Sequence, residues 1–165
     1  MVRPKTLALG LISVIILWFA VVVFVDAKAL SDLTFIKQNE TDYEILLGNE
    51  KFILRYVPKE SIEPHFGMAF NEFGSEYALV RNDLPPRVQR FVALHEIYHL
   101  HDFRNTIHRS TILQEIHANT AALLYEPIGF LQTVFLTITD PERLIYYLKY
   151  YLQSADTSIP PPTIR

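Results

Sequence analysis

Residues 85–102 read PPRVQRFVALHEIYHLHD, and the rest of the chain is interpreted outward from this stretch. Val88, Phe91, Val92, Leu94 and Ile97 recur at mixed three- and four-residue spacing, which predicts an amphipathic helix over residues 86–102. Asn82-Asp83-Leu84-Pro85-Pro86 stops any preceding strand, with Asp83 a candidate cap and proline in the first turn. His95 and His99 lie four residues apart, so on a helix they stand one above the other, with about 5–6 Å between Cβ atoms. Two imidazoles so placed reach a single zinc ion at about 2.0–2.1 Å. Glu96 is rotated about 100° from His95, so it misses the metal but reaches a water bound to it. That is the arrangement of a general base beside a Lewis acid. The competing reading is that both histidines only decorate a helix. Their position on a well-marked helix with apolar neighbours weighs against it.

A catalytic zinc needs a third protein ligand and one open position. In one arrangement a glycine follows the second histidine by three residues and a third histidine by six. Here those positions hold Asp102 and Asn105, which excludes it. The alternative is a glutamate from the next helix. Thr111 with Gln114 forms a capping-box pattern opening a helix from about residue 112 to 126, and Pro127 stops it. Glu115 stands on this helix, beyond a polar connector (103–110) that lets the two helices pack antiparallel with Glu115 facing the histidine pair. Asn119, one turn further on, is placed to bond the Nδ1 side of a ligand histidine or a nearby backbone group. Asp102 is a candidate support for His99. His101 and His117 are each two residues past a ligand position and point about 200° away. His65 carries no signal, and His108 reads as a solvated connector residue.

The front half predicts a three- or four-stranded antiparallel meander. Residues 43–57, YEILLGNEKFILRYV, are two β runs around the turn Gly48-Asn49. Residues 66–71 and 76–81 flank a second hairpin signal, Glu72-Phe73-Gly74-Ser75, and residues 26–40 read as a connector. Behind the paired helices, residues 128–138 are strongly apolar yet too short to span a bilayer, which predicts a core helix. The alternative for them is contact with a membrane surface or a hydrophobic substrate. Asp140-Pro141-Glu142 opens a last helix to about residue 153, and residues 154–165 form a proline-rich tail.

Residues 6–25, TLALGLISVIILWFAVVVFV, are uncharged and long enough for about 30 Å of helix, so the expectation is a single membrane anchor. A cleaved signal ending near Ala27-Lys28-Ala29 is the alternative. Arg3 and Lys5 in the short tail 1–5 precede the run and Asp26 follows it, which places the N-terminus in the cytoplasm and the remainder outside. Residues 31–165 hold 12 Lys and Arg against 17 Asp and Glu, a net charge of −5. An acidic body argues against nucleic acid as a partner. The chain has no cysteine, which excludes disulfides, thiolate metal sites and a cysteine nucleophile. Its 165 residues suffice for one domain, and the oligomeric state stays open.

The pairing of His95-Glu96-Ile97-Tyr98-His99 with Glu115-Ile116-His117-Ala118-Asn119 resembles the gluzincins, zinc metallopeptidases with HExxH plus a downstream glutamate. Glu-x-x-Ala-Asn followed by TAALLYEP is also similar to the ImmA/IrrE-type metallopeptidase domain, and the segment GMAFNEFGSEYALVRNDLPPRVQRFVALHEIYHL is most similar to the minigluzincins. The resemblance covers roughly residues 45–126. It implies an α+β zincin-like domain over residues 41–153: a sheet above an active-site helix and a glutamate helix, followed by C-terminal helices. It also implies one Zn²⁺ per chain on His95, His99 and Glu115, with Glu96 as base in the hydrolysis of a peptide or protein substrate. Many gluzincins carry Asp where this chain has Asn119. On this reading strand 76–81 is the upper edge of the cleft, where Tyr77, Ala78 and Leu79 pair with an extended peptide. Tyr98, Tyr146, Tyr147 and Tyr150 are candidate oxyanion donors, and the tail is a candidate latency segment. Two other functions compete with an anchored endopeptidase: a non-catalytic, zinc-stabilised sensor or binding domain regulating a membrane partner, and repressor proteolysis in the ImmA manner.

Overall fold

Gly48 holds φ at +57°, a conformation open to glycine, and with Asn49 it turns the chain in two residues between Leu47 and Glu50, which face each other. This hairpin starts the sheet. A computed structural model of the protein describes residues 20, 21, 23–72, 75–105 and 110–155. Its elements in chain order are a helical segment over residues 23–29, β1 (Leu33–Lys37), β2 (Asp42–Leu47), β3 (Glu50–Val57), a 3₁₀ turn (Lys59–Ser61), β4 (Gly67–Glu72), β5 (Ser75–Arg81), α1 (Pro86–Asn105), α2 (Thr111–Tyr125), α3 (Pro127–Ile138) and α4 (Pro141–Ala155).

The sheet is five-stranded, in the order β1-β2-β3-β5-β4. Four strands would have made the expected meander. Two findings change it. Residues 33–37, read as part of a connector, pair antiparallel with β2 as β1. The chain also leaves β3, passes outward to β4 and returns as β5, which inserts between β3 and β4 and runs parallel to β3. The strand expected at the cleft edge, with Tyr77, Ala78 and Leu79, is therefore interior, bonded on both sides, and β4 is the edge. Local pattern does not distinguish these cases, because hairpin signals specify neighbours in sequence and not insertion of one strand between two others.

Period-two burial fixes which face is covered: Ile45 and Leu47, Phe52 and Leu54, Ala78 and Val80 all point into the core, while Lys51, Ile53 and Arg55 face outward. Across that face lies α1, which buries Val88, Phe91, Val92, Ile97 and Leu100. Fully burying side chains of this size contributes about 1.5–3 kcal/mol each. Ala118, Ala121 and Ala122 are fully buried on α2 and let it approach α1 closely. Ser110, not Thr111, precedes the first turn of α2, without a side-chain cap bond. Asp83 pairs with Arg81 at 2.6–2.9 Å instead of capping α1.

The apolar segment 128–138 does form a helix, but not the expected core helix. Of α3 only Gly129 is buried, and Leu131, Phe135 and Ile138 are 57–65% exposed. Phe130 and Leu136 hold α3 to the core.

The expected membrane anchor is corrected as well. No helix among the described residues is long and apolar enough to cross a membrane, so the single-pass location and the orientation drawn from it are not retained. Residues 6–19 and 22 of that expected anchor lie outside the described residues, as do the 1–5 tail and the tail from residue 156. Where the chain emerges, it belongs to the domain. Asp26, read as the charge ending an apolar span, is fully buried beside Tyr98 and His117, and Leu30 is 1% exposed in the core. Residues 26–40 are thus part of the fold and not a connector.

Gly129 marks where α3 crosses α1. A Cβ there would stand 2.3 Å from the Arg87 carbonyl oxygen and 2.8 Å from the Phe91 Cβ, both of which are rigidly held. Gly129→Ala should therefore lower stability by about 1–3 kcal/mol, read as a lower denaturant midpoint with unchanged slope.

Candidate metal centre

His95 and His99 stand one turn apart on α1, as their spacing predicts, with ring centroids 4.6 Å apart. The packing of α2 against α1 brings Glu115 opposite them. His95 Nε2 lies 3.0 Å from His99 Nε2 and 3.5 Å from Glu115 Oε2, and His99 Nε2 lies 3.4 Å from Glu115 Oε1. One donor atom from each residue falls within a single 4.8 Å cluster. Donors about 2.0–2.1 Å from a tetrahedral centre are spaced about 3.3 Å from one another, so the observed triangle fits a small divalent cation. Two imidazoles and a carboxylate are borderline and hard ligands, a donor set suited to zinc.

The electrostatics follow from burial. Burial pushes the His95 imidazole down to about 4, His99 adds to this, and Glu115 opposes it. His95 is thus a neutral ring at neutral pH, the form that donates a lone pair to a metal. At His99 burial acts in the same direction but is outweighed by Glu115, Glu96 and Asp102, so its pKa is raised. Glu96 is 7% exposed, and burial lifts its carboxyl up to about 8, with His99 opposing and Glu115 reinforcing. A divalent charge in the donor triangle acts against that burial and favours the carboxylate.

These groups open into a cleft of about 260 Å³. His95, Glu96, Glu115 and Asn119 line it together with the apolar side chains of Phe91, Phe130, Val134 and Tyr147. The remaining expectations divide. Asn119 donates its amide to the Glu115 carbonyl at 2.7 Å, so it bonds a backbone group and neither histidine. Among the described residues His95 Nδ1 is buried without a hydrogen-bond partner. Asp102 is 1% exposed and acts on His99 through its charge. Tyr98 is buried with its hydroxyl bonded to Asp26, which removes it as an oxyanion donor. Tyr146 pairs with His65 at 3.0 Å, while Tyr147 reaches the cleft. His101 is held by Glu50 at 2.6 Å, and His108 lies outside the described residues.

Two residues that support the site carry no motif signal. Asp26, outside the donor triangle, touches both helices that carry it. The other is Gly67, the first residue of β4, which passes directly over α1. Compared with known proteins, the chain matches no family model, no curated protein and no solved structure.

A Cβ on Gly67 would lie 2.5 Å from Val92 Cγ1 and 2.8 Å from the Glu96 carboxylate oxygen. The strand therefore runs close enough to fix the Glu96 carboxylate from above. Gly67→Ala is expected to cost about 1–3 kcal/mol. Val92→Ala in the same chain removes the nearer clash, so in a double-mutant cycle of unfolding free energies the pair should destabilise less than the sum of the single changes.

Proposed function

We propose that the protein is a zinc-dependent metallopeptidase that hydrolyses a peptide bond in a peptide or protein substrate. The observation that carries this reading is the convergence of His95, His99 and Glu115 beside a buried Glu96, with His95, Glu96 and Glu115 lining an open cleft. Zinc held by the three ligands supplies a Lewis acid that polarises a carbonyl and acidifies water.

The chain's own groups do the rest. Glu96 accepts a proton from the attacking water and delivers it to the departing amine. Its burial supports this role, since a raised carboxyl affinity for protons suits a group that must take one up and release it near neutrality. Val92 and Gly67 crowd its side chain, and apolar residues line the cleft beside it. The exposed edge of the sheet beside the site is β4, so an extended substrate that adds by backbone hydrogen bonds pairs there and not with β5. A purely structural zinc site has no use for Glu96 and fills its fourth position with protein, which disfavours the non-catalytic sensor reading.

Glu96→Gln should keep one zinc per chain and lose hydrolysis by about 10²–10⁴-fold, the range of a general base. Glu115→Ala should lose the metal. Zinc stoichiometry and cleavage of a peptide library, measured on the same samples, check both. Unchanged turnover in the Gln variant rejects the mechanism.

A further inference from the structure

Asp26 lies outside the metal site, yet it touches both helices that build it. Its carboxylate is fully buried. Oδ1 accepts a hydrogen bond from the Tyr98 hydroxyl of α1 at 3.1 Å. The same Oδ1 lies 2.9 Å from His117 Nδ1 of α2, and Oδ2 lies 3.1 Å from it. Tyr98 immediately precedes the ligand His99, and His117 follows the ligand Glu115 by two residues. One residue after Asp26, the Ala27 carbonyl accepts the Tyr125 hydroxyl at 2.8 Å, so the segment is tied to α2 a second time. Leu30 then anchors it in the core.

A carboxylate is costly to bury unless donors surround it, so its placement here depends on Tyr98 and His117 standing where they do. The converse also holds. The donor triangle exists only at one separation of α1 and α2, and the alanines between the helices set a minimum separation without setting a maximum. A single acceptor shared by one donor from each helix sets that maximum.

We propose that Asp26 is a positioning residue for the metal centre: by bonding Tyr98 and His117 together, it holds the His95–His99 pair and Glu115 at the separation that grips a divalent cation. This rests on the zinc reading above. Because Oδ1 accepts from Tyr98 and is also the nearer oxygen to His117 Nδ1, asparagine keeps that acceptor and should keep the clamp, whereas alanine removes it.

The test uses the full chain, with zinc affinity read by chelator competition, coordination by the visible absorption of the Co²⁺-loaded protein, and metal-free stability by thermal unfolding. Asp26→Ala should weaken zinc binding about 10–100-fold, the range found when partners that orient metal ligands are removed, and should alter the Co²⁺ spectrum. Asp26→Asn should restore most of the affinity. Tyr98→Phe removes the α1 contact alone and should cost about fivefold, the worth of one hydrogen bond. It decides the matter if the alanine variant fails to fold. Wild-type affinity and spectrum in Asp26→Ala and Tyr98→Phe, even with a lower melting temperature, reduce Asp26 to a structural role and overturn the proposal. A wild-type chain that binds no zinc overturns the metal reading itself, and the positioning role with it.

Discussion

The structure turns on the packing of α1 against α2, because that contact alone brings a carboxylate in front of two stacked imidazoles. Polar groups of this kind sit poorly in a protein interior, where an unsatisfied donor or acceptor costs about 1–3 kcal/mol. Here Glu115 stays a quarter exposed, His95 and His99 are each at most 14% exposed, and the three face one another. Each neutralises part of the others' cost, and together they form a donor set that a single cation would satisfy at once. Ala118, Ala121 and Ala122 make the approach possible, since larger side chains would push Glu115 out of reach.

The surrounding elements shape what that contact can do. Gly67 lets the edge strand β4 run against Glu96, so the group expected to move protons is clamped between a strand and its own helix. Gly129 does the same for α3 against α1, and Phe130 and Val134 then line the cleft along with His95 and Glu115. Arg143 donates to the Pro64 carbonyl and covers the Phe66 ring at 4.0 Å, fixing α4 to the loop that leads into β4. The cleft thus mixes polar and apolar lining, and burial lowers the proton affinity of the His95 ring while it raises that of the Glu96 carboxyl.

The segment before the sheet shows how one residue changes meaning with context. In sequence Asp26 is a charge after twenty uncharged residues, and that order suggests the end of a span. In the fold the same carboxylate is buried between α1 and α2, and Leu30 and β1 continue the segment into the core and the sheet. Similarly, the apolar run of α3 suggested a core position, yet most of it lies on the outer surface. Hydropathy reports what a segment prefers to avoid, and does not report which surface is left to cover it.

By itself the sequence determined which candidate side chains share a helix face. Histidines at positions 95 and 99 share a helix face whatever the tertiary structure, because 3.6 residues make a turn. Glu96 falls beside them for the same reason, and the helix boundaries near Pro86, Pro127 and Pro141 follow from proline's missing donor and fixed φ. The tertiary structure alone decided everything that depends on contacts between distant residues. Such contacts include the insertion of β5 between β3 and β4, the passage of Gly67 over Glu96, and the pairing of Asp26 with residues 72 and 91 positions away. Periodicity records how a residue relates to its own element. Which elements meet is settled by burial of the whole apolar surface at once, and no local stretch of the chain contains that information.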